Sequence, residues 1–121
     1  MLAADLAIIP LVDNPFNRCK SALKWVEQSA LGVPSVMSGV SPYKEMYNGK
    51  NAVMVADNSV EGWIEAISTM ITDPVLRAKI AGNAHRYVLE RYDIRARAVD
   101  WLRTYELARK EEPCQLAKSV M

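Results

Sequence analysis

The sequence predicts an α/β fold amounting to half of a doubly wound domain: three short parallel strands flanked by helices, with a helical C-terminal region. Three observations predict it. Short, nearly continuous apolar runs recur at residues 4–11, 34–38 and 51–56, as expected of strands buried on both faces in a parallel sheet. Between and after them lie segments whose apolar residues recur three and four apart, the spacing of one helix face. Turn residues punctuate the two patterns at Asp13-Asn14-Pro15, Gly32 and Asn48-Gly49. Strands alternating with helices imply βαβ units, and three strands make only a thin layer, so the helical share is high.

The first run, ADLAIIPL, ends at Pro10 because proline has no N–H to give a ladder. Residues 12–18 read as a turn-rich loop. A helix is expected from about Lys20 to Leu31, stopped by Gly32. Residues 34–38 are the second strand. A loop over 39–49 has room for one helical turn at residues 42–47, and residues 51–56 are the third strand. Asn58 with Glu61 resembles a capping box. It opens a helix to about Thr72 whose apolar stripe is Val60, Trp63, Ile64, Ile67 and Ile71. Asp73-Pro74 is a cap followed by proline at the first helical position. The stripe after it is Leu76, Ile80, Ala84, Tyr87 and Val88. Asp93 caps a last helix with Ile94, Ala98, Trp101, Leu102 and Tyr105 on one face. Trp63, Tyr87 and Trp101 are expected in the core. The domain is expected over residues 1–112, with 113–121 a flexible tail.

Composition excludes several function classes. The 121 residues are half hydrophobic and 24% charged, with a formal net charge of +1. That balance gives no footing for a general nucleic-acid binder or a polybasic membrane anchor. No apolar run approaches the roughly 20 residues needed to span a bilayer. The apolar start lacks a basic leading region and contains Asp5, so it reads as a strand and not a signal peptide. Cys19 and Cys114 have no metal spacing, and reduced thiols in the cytoplasm are the expectation.

The stretch RCKSALKWVEQSALGVPSVMS, residues 18–38, carries the candidate chemistry. Lys20, Ser21, Lys24 and Glu27 are spaced to share a helix face, apart from the apolar Ala22, Leu23, Val26 and Ala30. A helix start offers free N–H groups and partial positive charge, which suit a phosphate. A solvated face with a weak Lys24–Glu27 pair is the competing reading. Asp13 and Asn14 follow the first strand, where α/β folds place ligands, or they simply form a turn. Glu45 lies in the loop after the second strand. Cys19 and His85, the only histidine, read as passive.

Residues 4–109 resemble the C-terminal end of glycosyltransferases of GT-B architecture, in the retaining group that includes glycogen synthase. The resemblance rests on ADLAIIPL, on NPFNRCKSALKWVEQSALGVPSVMS, on SPYKEMYNGKNAVMVAD, and on the closing WIEAISTMITDPVLRAKIAGNAHRYVLERYD. It implies the second half of a Rossmann-like donor-binding domain, and a nucleotide diphosphate sugar as partner. Glu27 resembles the second of two family glutamates and is then expected to hold ribose hydroxyls. Eight places earlier stands Cys19, so the first glutamate is absent. Some members have Lys-Ser-x-x-Lys-x-x-Glu here, which Lys20, Ser21, Lys24 and Glu27 resemble. The implied reaction needs no bound metal, and no cofactor is expected.

By that resemblance the acceptor-binding domain and the first half of the donor domain lie outside this chain. It is expected to be a fragment, a truncated reading frame or an independent half-domain, inactive in transfer by itself. The alternative is a non-catalytic interaction module that self-associates. Without a neighbouring strand, residues 4–11 would form an open apolar edge, so a homodimer is expected. A monomer whose own terminal residues cover the edge is the competing arrangement.

Overall fold

A computed structural model describes residues 4–110. Two compact units divide between Glu90 and Arg91. The tail, Cys114 and the expected boundary at 112 lie outside the described residues.

The first unit is built on a three-stranded sheet in the order β1 (Ala7–Ile9), β2 (Ser35–Ser38), β3 (Val53–Val55). Both pairings are parallel, with Ala7 opposite Ser35 and Val36 opposite Val53. Helices lie on both faces of the sheet, so the fold is the α/β half-domain that the sequence predicts. The strands are shorter than the apolar runs. Backbone pairing on β1 stops at Pro10, as expected, and Asn51 is spent on a turn, accepting from the Asn48 N–H at 3.1 Å.

Side chains alternate across the sheet and fill two cores. Ile9 and Met37 join Ala22, Trp25, Tyr43, Ala84 and Val88 on one face. Val36 and Val55 join Ala66, Met70 and Ile80 on the other.

Residues 15–18, expected as loop, form a short helix α1 (Pro15–Arg18). Asn14 caps it, accepting from the Asn17 N–H at 2.8 Å, with Pro15 at its first position. The Asn-Pro pair is the same start signal as Asp73-Pro74. Because α1 and the turn after it occupy residues 15–22, the next helix, α2 (Leu23–Ala30), starts three residues later than expected. It stops where predicted. Gly32 takes φ +73°, and the N–H groups of Gly32 and Val33 bond the carbonyls of Ser29 (3.0 Å) and Gln28 (2.9 Å) in a Schellman arrangement.

After β2, a single turn α3 (Tyr43–Met46) buries Tyr43. The next helix, α4 (Val60–Thr72), differs from expectation twice. Its cap is Ser59, whose Oγ accepts from the Gly62 N–H at 3.0 Å, not Asn58 with Glu61. Its buried residues are Ala66 and Met70, while Val60, Ile64 and Ile71 are exposed and only Trp63 and Ile67 of the expected stripe pack inward. Trp63, Ala66, Ile67 and Met70 lie beside Val60, Ile64 and Ile71 in one broad apolar arc, so periodicity leaves open which part of it faces inward. The sheet meets the side with the small residues: a Cβ on Gly62 would come within 3.0 Å of Val55 Cγ1. Helix α5 (Pro74–Tyr92) begins at Asp73, which accepts from the Leu76 N–H at 2.8 Å, and buries Ile80, Ala84 and Val88 as expected. Tyr87 packs edge-on to Trp25.

The second unit is helix α6 (Ile94–Lys110) with the end of α5. The Asp93 carboxylate accepts from the Arg95 N–H at 2.9 Å. Trp101, expected in a core, is 57% exposed, and its ring lies 6.3 Å from that of Tyr105. Ile94, Leu102 and Tyr105 of the same stripe are exposed as well.

Candidate functional site

Parallel strands leave their carboxyl ends, and the helix starts that follow, at one rim of the sheet, where α/β folds hold ligands. In this chain that rim carries a cleft of about 360 Å³ between the end of β1, the start of α2 and Tyr43 of α3. Lys20, Ser21 and Lys24 all line it, and all are exposed. Glu27 is exposed one helical turn further along α2 and does not line the cleft.

The geometry differs from a single helix face. Lys20 and Ser21 sit in the turn between α1 and α2, and only Lys24 and Glu27 are helical. The turn is fixed by α1: the Lys20 N–H donates to the Asn17 carbonyl at 3.1 Å, and the Lys20 ammonium lies 4.9 Å over the Phe16 ring. Two cations therefore reach the cleft from different backbones. The start of α2 has no side-chain cap, its N-cap residue being Ala22. Its first N–H groups are open to an external acceptor such as a phosphate oxygen.

Tyr43 and Leu11 line the same cleft and were not singled out from the sequence. Burial pushes the Tyr43 phenol above its usual range. The available signal was positional, since both follow strand ends.

The other candidates have structural work. Asp13 holds the Arg18 guanidinium, with Nη2 2.9 Å from Oδ2, and that hydrogen bond keeps the Asp13 carboxyl below the usual range. Asn14 is the α1 cap. Glu45 accepts from the Ser41 hydroxyl at 2.6 Å and does not line the cleft. His85 donates from Nδ1 to the Ser29 carbonyl at 3.1 Å. Cys19 is a free, exposed thiol. Among the described residues no three His, Cys, Asp or Glu side chains cluster as a metal site would need, and no helix is long and apolar enough to cross a membrane.

A larger groove, about 630 Å³, lies within the second unit between Tyr92, Ile94 and Trp101. It is mostly apolar and lies on no strand end. The smaller cleft, with two cations and an uncapped helix start, is the better candidate for a charged ligand.

A family model described as glycosyl transferase-like matches residues 6–103. No curated protein and no solved structure matches the chain.

Proposed function

This chain belongs to the glycosyl transferase-like family, and from that premise we propose that its cleft binds the diphosphate of a nucleotide-sugar donor. The observation that carries the reading is the meeting of Lys20, Ser21, Lys24 and the uncapped start of α2 at the carboxyl rim of the sheet. In glycosyl transfer the bond from the sugar to the diphosphate breaks, and the electron pair leaves with the phosphate oxygen. Cations and N–H groups already aimed at that oxygen stabilise the developing charge. Lys20 and Lys24 would flank the diphosphate, Ser21 would donate to it, and Glu27, a turn away, would accept from the ribose hydroxyls. The same reading puts the chain in the reducing cytoplasm, where a thiol such as Cys19 stays unpaired.

Transfer also needs a positioned acceptor and a base for its proton. We attribute neither to this chain, so the isolated chain should bind without turning over.

Titration with uridine or guanosine diphosphate, followed by backbone amide shifts, tests the site. The expected shifts centre on residues 20–24; shifts centred on α6 would rule the cleft out. Lys24→Ala should weaken binding about fivefold, roughly 1 kcal/mol for one exposed charge-assisted hydrogen bond. Lys79→Ala, on the exposed side of α5, should leave it unchanged.

A second reading, a self-associating interaction module, is favoured by one observation. Among the described residues β1 pairs on one side only, and Ile8 on it is 51% exposed. Pairing of two β1 edges would cover both. Light scattering across a wide concentration range should then show twice the 13.5 kDa of one chain, and Ile8→Lys should return it to one. A constant single-chain mass removes this reading.

A further inference from the structure

We infer that Asn58 is a positioning residue for the cleft, holding its Leu11 wall through side-chain hydrogen bonds that take over where the β1–β2 ladder ends.

The ladder runs to Ile9 opposite Met37. Beyond Ile9, the Leu11 N–H goes to a side chain of β2 where the ladder would have offered a backbone carbonyl. The buried Ser38 hydroxyl accepts from the Leu11 N–H at 2.8 Å and donates to Asn58 Oδ1 at 2.8 Å. The Asn58 amide donates to the Leu11 carbonyl at 3.1 Å, and Trp63 Nε1 donates to Asn58 Oδ1 at 2.9 Å. Both backbone polar groups of Leu11 are therefore held, one by the end of β2 and one by the turn before α4. The amide can serve only in this orientation, because a flip would set its NH₂ against the indole N–H.

The residue type is demanded twice. Asn58 has φ +57°, a left-handed conformation that asparagine tolerates. Its side chain must also accept from two donors and give to one carbonyl. Glycine meets the first demand only.

The consequence runs into the cleft. After Leu11, the Val12 carbonyl accepts from Asn17 Nδ2 at 2.8 Å, and the Asn17 carbonyl accepts from the Lys20 N–H at 3.1 Å. A continuous set of contacts thus joins the start of α4 to Lys20, although Asn58 itself does not line the cleft. The functional half of this inference rests on the diphosphate reading above; the structural half does not.

Hydrogen exchange on Asn58→Gly tests it. Glycine keeps the backbone conformation and removes only the side chain. The Leu11 and Lys20 amides should exchange about tenfold faster, while those of Val36 and Met37 on the central strand hold their rates. Uridine diphosphate binding should weaken about threefold in step. Unchanged exchange at Leu11 and Lys20 overturns the inference, as does a rise spread evenly over the sheet, which would mark Asn58 as general scaffolding. If the unaltered chain fails to bind uridine diphosphate, the function proposal fails and the exchange result still decides the positioning role. Should Asn58→Gly not fold, Trp63→Phe removes one of the two donors to Asn58 Oδ1, and a smaller rise confined to the same two amides is expected.

Discussion

Trp25→Ala lowers folding stability by about 3–5 kcal/mol. Trp25 is fully buried on α2 in the core that includes Ile9 and Met37 of the sheet, and its ring meets Tyr87 edge-on at 5.7 Å. Removing it takes away the largest side chain tying α2 to both the sheet and α5, and leaves a cavity between three elements that cannot all close in. A chain of this length has about 6–18 kcal/mol in total, so the loss is a large share. The indole N–H meets no acceptor among the described residues. Trp25→Phe, which discards that N–H and keeps a ring, should therefore cost only about 1–2 kcal/mol. Urea unfolding of the two variants beside the unaltered chain measures both. A loss under about 1 kcal/mol for Trp25→Ala would show that this core is not packed as described.

Gly39→Ala is the smallest change with a large effect. Gly39 follows β2, and its N–H donates to the Val55 carbonyl at 2.8 Å. An added Cβ would stand 2.8 Å from Ala56 Cα, 3.1 Å from the Ala56 carbonyl oxygen and 3.2 Å from that of Val55. These are backbone atoms, which cannot swing aside as a side chain can. One methyl would force the ends of β2 and β3 apart, at about 1–3 kcal/mol or more. The distortion falls beside Ser38, so the Leu11 contact should loosen as well. Gly82→Ala is the control. Gly82 lies inside α5 with open space around it, so alanine there should stabilise the chain by about 0.5–1 kcal/mol. If the two substitutions have equal effects on the urea midpoint, the close approach at Gly39 is wrong.

The candidate site was partly legible in the sequence. Lys20, Ser21 and Lys24 do converge, but not for the reason their spacing suggests. That spacing implies one helix through all four residues, whereas the Asn14-Pro15 start uses up the chain as far as the turn at Lys20. Asn14-Pro15 was on view, yet Asn-Pro serves turns and helix starts alike. Tyr43 and Leu11 were missed because their places depend on strand ends meeting, which local spacing does not report.

What the sequence by itself determined is local. The Gly32 stop of α2 and the Asp73-Pro74 start of α5 each rest on bonds made within about five residues, so the residue types suffice. The three apolar runs, too short for helices and apolar on both faces, likewise determined a thin parallel sheet. Only the tertiary structure decided which side of α4 is buried, because its apolar arc is broader than one contact and the sheet selects the part that Gly62 and Ala66 let approach closely. Nor does spacing decide burial on α6: it marks a stripe that includes Trp101, which is exposed. And the tertiary structure alone turned Asn58 from an expected cap into the holder of Leu11, 47 positions away in the chain. No rule of spacing reaches that far, because the contact exists only once the ends of β1 and β2 and the start of α4 meet at the same rim.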